Sequence, residues 1–280
     1  MQLEPHNTLR FDSVADLHSY MTPNKCNSPD TTNTWYGGVT AKTACDMLLT
    51  GDQSRVAAAQ LMLDKFDVRI NTFGMEMATG VAGFCPSVAD YLGGSPESMY
   101  CMAETQSQAA PLKIIVDTVS SACISQEQIN QRGTTILAMV MALAAVRPIT
   151  LEVVTILDTE TSFYFNECGF KNNNYCCARV AINSAPLDLG TACYALCHSG
   201  FSRRVLYGAL INKYNSPGIW PGFDGKQAAN TRDPKIFNWY LSMLGETEES
   251  ALFIPAIFAQ DDLLTKPVEW INSVLAKYTN

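Results

Sequence analysis

The sequence predicts an α/β protein: a mostly parallel sheet flanked by helices, preceded by a portion rich in helix and loop. Three observations carry this. Leu112 to Val116 is a short apolar run, interrupted by Lys113 and closed by Asp117, as for a strand covered on both faces. Thr134 to Val146 is apolar almost all round, which suits a helix packed inside a domain, and Arg147-Pro148 stops it. Ile149 to Leu157 is a second β-branched run. Strand, helix and strand in this spacing form a crossover unit whose expected hand is right.

Taken in order, residues 1–34 read as an arm, polar and turn-rich, strapped over the domain surface, with a short helix from Phe11 to Met21 capped by Asp12 or Ser13. Residues 35–280 read as a single α/β domain, with a helical, Gly-rich part (35–110) and a sheet core (111–280). Trp35-Tyr36-Gly37-Gly38 is a turn, followed by a helix from Thr40 to Leu49 that Gly51 ends, and a second helix from Ser54 to Phe66. Asp67 to Thr72 reads as a strand. The stretch Phe73 to Gly94 holds five glycines but neither Gly-x-Gly-x-x-Gly nor a Walker lysine, so no phosphate cradle is expected. A short helix is expected from Ser87 to Leu92, and Ser95-Pro96-Glu97 reads as the start of another.

Past the crossover unit, Ser120 to Arg132 is read as a polar segment, and Thr159 to Tyr175 as an aromatic, Asn-rich insertion whose Phe163-Tyr164-Phe165 suits a strand or hairpin limb. Cys177 to Asn183 is a third strand. A helix follows from about Thr191 to Leu210, then a Gly- and Pro-rich loop from Asn212 to Ala229, and a helix from Pro234 to Leu244. Ala251 to Phe258 is the last buried strand, and Pro267 to Tyr278 the closing helix.

A 47% hydrophobic content supplies a core. No membrane partner is expected: the longest apolar candidate, Ile136 to Val146, is about half the roughly 20 residues a bilayer requires. The N-terminus lacks a basic start followed by an apolar core, which points to the cytoplasm. Ten cysteines are scattered without a Cys-x-x-Cys pair, so they read as reduced, buried, small hydrophobes rather than zinc ligands, although Cys193, Cys197 and His198 lie close in sequence. The only histidines are His6, His18 and His198, and no Gly-x-Ser-x-Gly elbow exists, so an enzyme is not expected.

Charge is the most informative feature. The net charge of −8 argues against a protein that coats duplex DNA by charge alone. Yet from Lys171 to Lys235 there are eight bases against three acids, which makes that segment +5 and the remainder −13. Aromatic residues are interleaved with these bases. Cations that track phosphates and rings that stack on bases suit a single strand. The expected nucleic-acid-binding residues are Lys171, Arg179, Arg203, Arg204, Tyr207, Lys213, Tyr214, Trp220, Lys226, Arg232 and Lys235, with Arg203 and Tyr207 on one helix face.

Two resemblances add to this. From Pro111 onward the element order resembles the von Willebrand factor A fold, a Rossmann-like sheet. Its first strand carries Asp-x-Ser-x-Ser, which holds a divalent cation. The matching positions are Asp117, Val119 and Ser121, so the middle oxygen ligand is missing. No cofactor is expected unless Asp117 and Ser121 hold a divalent cation. Such a chain would be a metal-dependent module that grips a protein carboxylate.

The second resemblance rests on several short pieces. They are Trp35-x-Gly37-Gly38 with its helix and Gly51-Asp52; Pro86-Ser87-Val88 with Tyr91-Leu92, Gly94, Pro96 and Met99; Arg132-Gly133; and Arg203-Arg204. These are similar to a family of tailed-phage proteins and, within it, to the single-stranded-DNA-binding RNA polymerase cofactors of Enquatrovirus-like phages. That resemblance implies a non-enzymatic protein that binds single-stranded DNA and brings phage RNA polymerase to its template. Association into a homo-oligomer is expected as well.

Overall fold

The computed structural model describes residues 2–4, 8–22, 32–63, 74–105, 111–121, 123–158, 175–184, 186–214, 237–238, 240–242, 245–246, 251–257 and 262–278. The N-terminal elements are β1 (Gln2–Glu4), β2 (Thr8–Phe11), α1 (Val14–Met21), a 3-10 turn (Thr34–Tyr36), α2 (Ala41–Thr50) and α3 (Val56–Leu63). A small unit follows: β3 (Gly74–Gly80), β4 (Cys85–Pro86), α4 (Val88–Leu92) and β5 (Met99–Thr105). Then come β6 (Leu112–Asp117), α5 (Gln126–Val146), β7 (Ile149–Asp158) and β8 (Tyr175–Ile182). The chain closes with α6 (Leu189–Cys197), a π-helical turn (Phe201–Leu206), α7 (Tyr207–Tyr214), β9 (Ala251–Ile254), α8 (Asp262–Thr265) and α9 (Pro267–Tyr278).

The main sheet has the order β1-β2-β8-β7-β6-β9. Three neighbouring pairs are parallel (β2 with β8, β6 with β7, β6 with β9) and two are antiparallel (β1 with β2, β7 with β8). The class is therefore α/β with a mostly parallel sheet flanked by helices. The crossover β6-α5-β7 is present as the sequence indicates.

Side chains alternate across this sheet with the strand period of two. Ile114, Val116, Leu151, Val153, Cys176, Ala178 and Val180 face the large core, which α1, α2, α5, α6 and α7 cover. Ile115, Val154, Ile156 and Cys177 face the other way and pack with Tyr240 and Ala251. Cys176, Cys177, Cys193 and Cys197 are buried, as small hydrophobes are.

Four expectations change. Residues 2–4 and 8–11 are sheet strands, not a strap: Leu9 and Phe11 are buried, and β2 covers the outer edge of β8. The polar segment before Arg132 is the first part of α5. There Ser125 Oγ accepts from the Gln128 N–H, and Gln128 Oε1 accepts from the Ser125 N–H, a reciprocal cap. The Gly-rich stretch opens with a strand, and Ser95-Pro96-Glu97 leads into strand β5 instead of a helix; β3 and β4 flank β5 in a separate three-stranded antiparallel sheet. The helix expected over 191–210 is broken at His198, where its backbone turns extended, and resumes as a π turn. The expected strand at 67–72 and the aromatic insertion at 163–165 lie outside the described residues.

One close approach fixes how α5 and α6 pack. A Cβ on Gly133 would stand 2.3 Å from the Leu196 carbonyl oxygen. Only a residue without a side chain lets the two backbones meet there.

Candidate functional site

Strand order reverses around β6, since α5 carries the chain to β7 on one side while β9 lies on the other. In open α/β sheets such a switch point, at the carboxyl ends of the strands, is where ligands gather. The loop after β6 crosses it. Asp117 is fully buried, and its Oδ1 accepts from the Val119 N–H at 2.9 Å, closing a tight turn. Thr118 Oγ1 lies 3.1 Å from both the Val154 carbonyl oxygen and Thr155 Oγ1. Ser120 pairs with Ile257 as an isolated parallel bridge.

Arg203 and Arg132 reach this loop, and Arg204 stacks on the 3-10 turn. Arg203 is 1% exposed. One terminal nitrogen donates to the Trp35 carbonyl at 2.8 Å; the other donates to Ser120 Oγ, Ser121 O and Ile124 O at 2.8, 3.2 and 3.1 Å. Its guanidinium lies 4.4 Å from the Trp35 ring centre, and that of Arg204 lies 3.7 Å from the Tyr36 ring centre. Such stacking attracts a desolvated cation to the ring face. Arg132 reaches from α5 to the Asp117 and Pro255 carbonyls. Burial pulls Arg203 down to about 10, so it stays charged at neutral pH. Burial also pushes the Tyr207 phenol up; the Asp117 carboxylate adds to this and Arg203 opposes it.

The 3-10 turn closes the site from above. Asn33 Oδ1 caps it by accepting from the Trp35 N–H, and Gly37 and Gly38 take positive φ beyond it. Gly37 sits so close to His198 that an added Cβ would meet Cε1 at 2.5 Å. His198 Nδ1 accepts from the Gly200 N–H, and burial pulls the imidazole below its ordinary value, partly offset by Asp52. What space remains between Thr118, Arg132, His198, Ser202 and Ile257 is about 10 Å³, enough for about one water. The crevice is thus filled by the chain's own side chains, and the terminal nitrogens of Arg203 are spent on three carbonyls and the Ser120 hydroxyl.

This placement corrects the expected binding track. Arg203 and Arg204 are interior, held by aromatic rings and carbonyls instead of facing solvent. Arg179 is interior too, on the opposite face of the sheet. Its Nε and a terminal nitrogen meet Glu152, the latter at 3.0 Å, and Lys113 Nζ joins Glu152 and Glu246 at 3.4 and 3.2 Å. Tyr207 packs against the large core. A lone charge in a hydrophobic interior is costly unless paired or hydrogen-bonded, and each of these has such partners. Lys213 is half-buried on α7, which Tyr214 closes. Lys171, Trp220, Lys226, Arg232 and Lys235 lie outside the described residues. Ser121 is half-buried, and its backbone oxygen is occupied by Arg203. Among the described residues no three His, Cys, Asp or Glu gather closely enough to hold a metal ion.

The structural importance of Trp35, Tyr36 and Arg132 is not visible in composition. One sign was available: Arg132 interrupts a long helix that is otherwise mostly apolar past that point. A family model described as a domain of unknown function (DUF7192) matches residues 3–278. The chain belongs to this family. No curated protein matches it. No solved structure does either. Among the described residues no helix of this DUF7192 chain is long and apolar enough to cross a membrane.

Proposed function

We propose that the protein is a non-enzymatic, single-stranded-DNA-binding cofactor of phage RNA polymerase, acting in the host cytoplasm as a homo-oligomer. The observation that carries this reading is the stretch from Lys213 to Lys235. It holds Lys213, Tyr214, Trp220, Phe223, Lys226, Arg232 and Lys235 against only Asp224 and Asp233, in a chain of net charge −8. With Arg179, Arg203 and Arg204 committed to the interior, this stretch and Lys171 are the cations and rings that remain for an unpaired polynucleotide. The resemblance to the tailed-phage cofactors supports the same conclusion. Fluorescence anisotropy with labelled single- and double-stranded oligonucleotides tests it. The single strand is expected to bind with an affinity that falls with salt. Replacing Lys213, Lys226, Arg232 and Lys235 by alanine should flatten the salt slope by about 0.7 for each phosphate no longer neutralised. Equal, salt-independent behaviour of both proteins would refute it.

We infer a von Willebrand A-like, Rossmann-like sheet as the finer fold type, because β6 ends in Asp117 and the strand order reverses there. The same observation favours a second reading, a module that uses Asp117, Ser121 and a divalent ion to grip a partner carboxylate. Asp117 has one carboxylate oxygen engaged by the Val119 N–H, and Val119 has no side-chain oxygen, which weakens such a site. Isothermal titration with magnesium and manganese separates the two: saturable binding abolished by Asp117→Asn supports the module.

A further inference from the structure

The three-stranded unit formed by β3, β4, β5 and α4 is built unlike the rest of the chain. Its strands make their extensive contacts with one another, and none of its described apolar side chains joins either hydrophobic core. Instead they face solvent. Val81, Phe84, Val88, Tyr91 and Leu92 are 76, 66, 66, 71 and 79% exposed. Val88, Tyr91 and Leu92 stand at i, i+3 and i+4, so they share one face of α4. Phe84 is held beside them: its N–H donates to the Tyr100 carbonyl on β5, and the Ser87 N–H, just before α4, donates to Ser98. The patch is rigid at its base, since Ser87 Oγ bonds Asp90 Oδ2 at 2.6 Å and Gly83 lies against the Tyr100 backbone. Large apolar side chains gathered this way on a soluble surface mark an interaction site.

The charge of the unit selects the occupant. From Ile70 to Leu112 the chain has no lysine or arginine, and it has Glu76, Asp90, Glu97 and Glu104. A nucleic acid or an anionic bilayer would be repelled. A second copy applying the same face would bring an acidic surface against an acidic surface. We propose that this face docks a different protein, through an apolar socket on that partner rimmed by lysine or arginine. Phe84, Tyr91 and Leu92 enter the socket, and Glu97 meets the rim. The inference does not rest on nucleic-acid binding.

The test uses the full chain and two helical peptides, one with a leucine face and a lysine face, the other with glutamate in place of lysine. Anisotropy should show saturable binding of the lysine peptide only. The triple variant Phe84→Ser, Tyr91→Ser, Leu92→Ser should bind it about tenfold more weakly or worse. Because the variant keeps every charge, unchanged binding would mean mere attraction to an acidic protein and would overturn the proposal. Failure of the lysine peptide to bind, or equal binding of the glutamate peptide, would also overturn it. So would sedimentation showing that the variant loses a dimer, since a second copy would then be the occupant. Single-strand affinity of the variant is expected to match the wild type; a loss there would assign the face to nucleic acid instead.

Discussion

The switch-point crevice and the three-stranded unit invert the usual rule for what goes inside. In the crevice, Arg132, Arg203 and Arg204 are buried with their charges; on the unit, Phe84, Tyr91 and Leu92 are exposed with their apolar surface. The first arrangement costs desolvation, which four hydrogen bonds on Arg203 and two ring faces offset. The second forgoes burial that would have contributed about 1.5–3 kcal/mol per large side chain. Both depart from the lowest-energy choice for an isolated chain, but in opposite directions. The crevice finds most of its partners within the molecule, whereas the apolar face stands open to solvent.

Substitutions should separate the two regions. The largest effect is expected for Arg203→Ala, which strips partners from Trp35, Ser120, Ser121 and Ile124 and uncovers the Trp35 ring; a loss of about 3 kcal/mol or more in urea unfolding is expected. A loss below about 1 kcal/mol would mean the arginine cluster is not what closes the crevice. Gly133→Ala comes next, at about 1–3 kcal/mol, because its methyl would collide with the Leu196 backbone and push α5 from α6.

The pH dependence is smaller. Burial lowers the His198 pKa in the folded state below the ordinary imidazole value near 6.5, so the unfolded chain takes up a proton that the folded one refuses. Stability from this group is fully present above that ordinary value and is lost as pH falls through the folded one. Thermal melts of wild type should therefore decline below neutral pH more steeply than those of His198→Gln. Parallel declines would place the dependence elsewhere. Smallest of all is Leu92→Ser, expected within about 0.5 kcal/mol of wild type, since an exposed side chain loses nothing on truncation. A substantial destabilisation there would show that the face is buried in solution.

The parts of the fold legible in the sequence are those whose pattern is local and strong. Leu112 to Val116, Ile149 to Leu157 and Pro267 to Tyr278 announce themselves by β-branched, apolar-rich runs or helical apolar spacing. β3 and β5 do not, because glycine and methionine are weak strand formers and the partner lies across an intervening helix. The site was half legible. Arg203 and Arg204 stood out as a charge pair, but their burial depends on Trp35, a partner 168 residues earlier. Nothing near them in sequence distinguishes an interior guanidinium from a surface one. The exposed face at Phe84 to Leu92 carried a readable sign, the absence of any cation between Ile70 and Leu112, yet short apolar runs read first as core.

The pairing of Thr8–Phe11 with Cys177–Val180 has a further consequence for how the chain is made. β2 pairs early with β1, but its other edge closes only with a strand 169 residues further along the chain. β6, paired with β7, likewise closes its other edge with the distant Ala251–Ile254. Closure of loops that long precedes the contacts that reward it, so assembly of the sheet is expected to be slow. Removing β1 or β9 would bare the edge of β2 or β6, prone to pairing with whatever strand it meets.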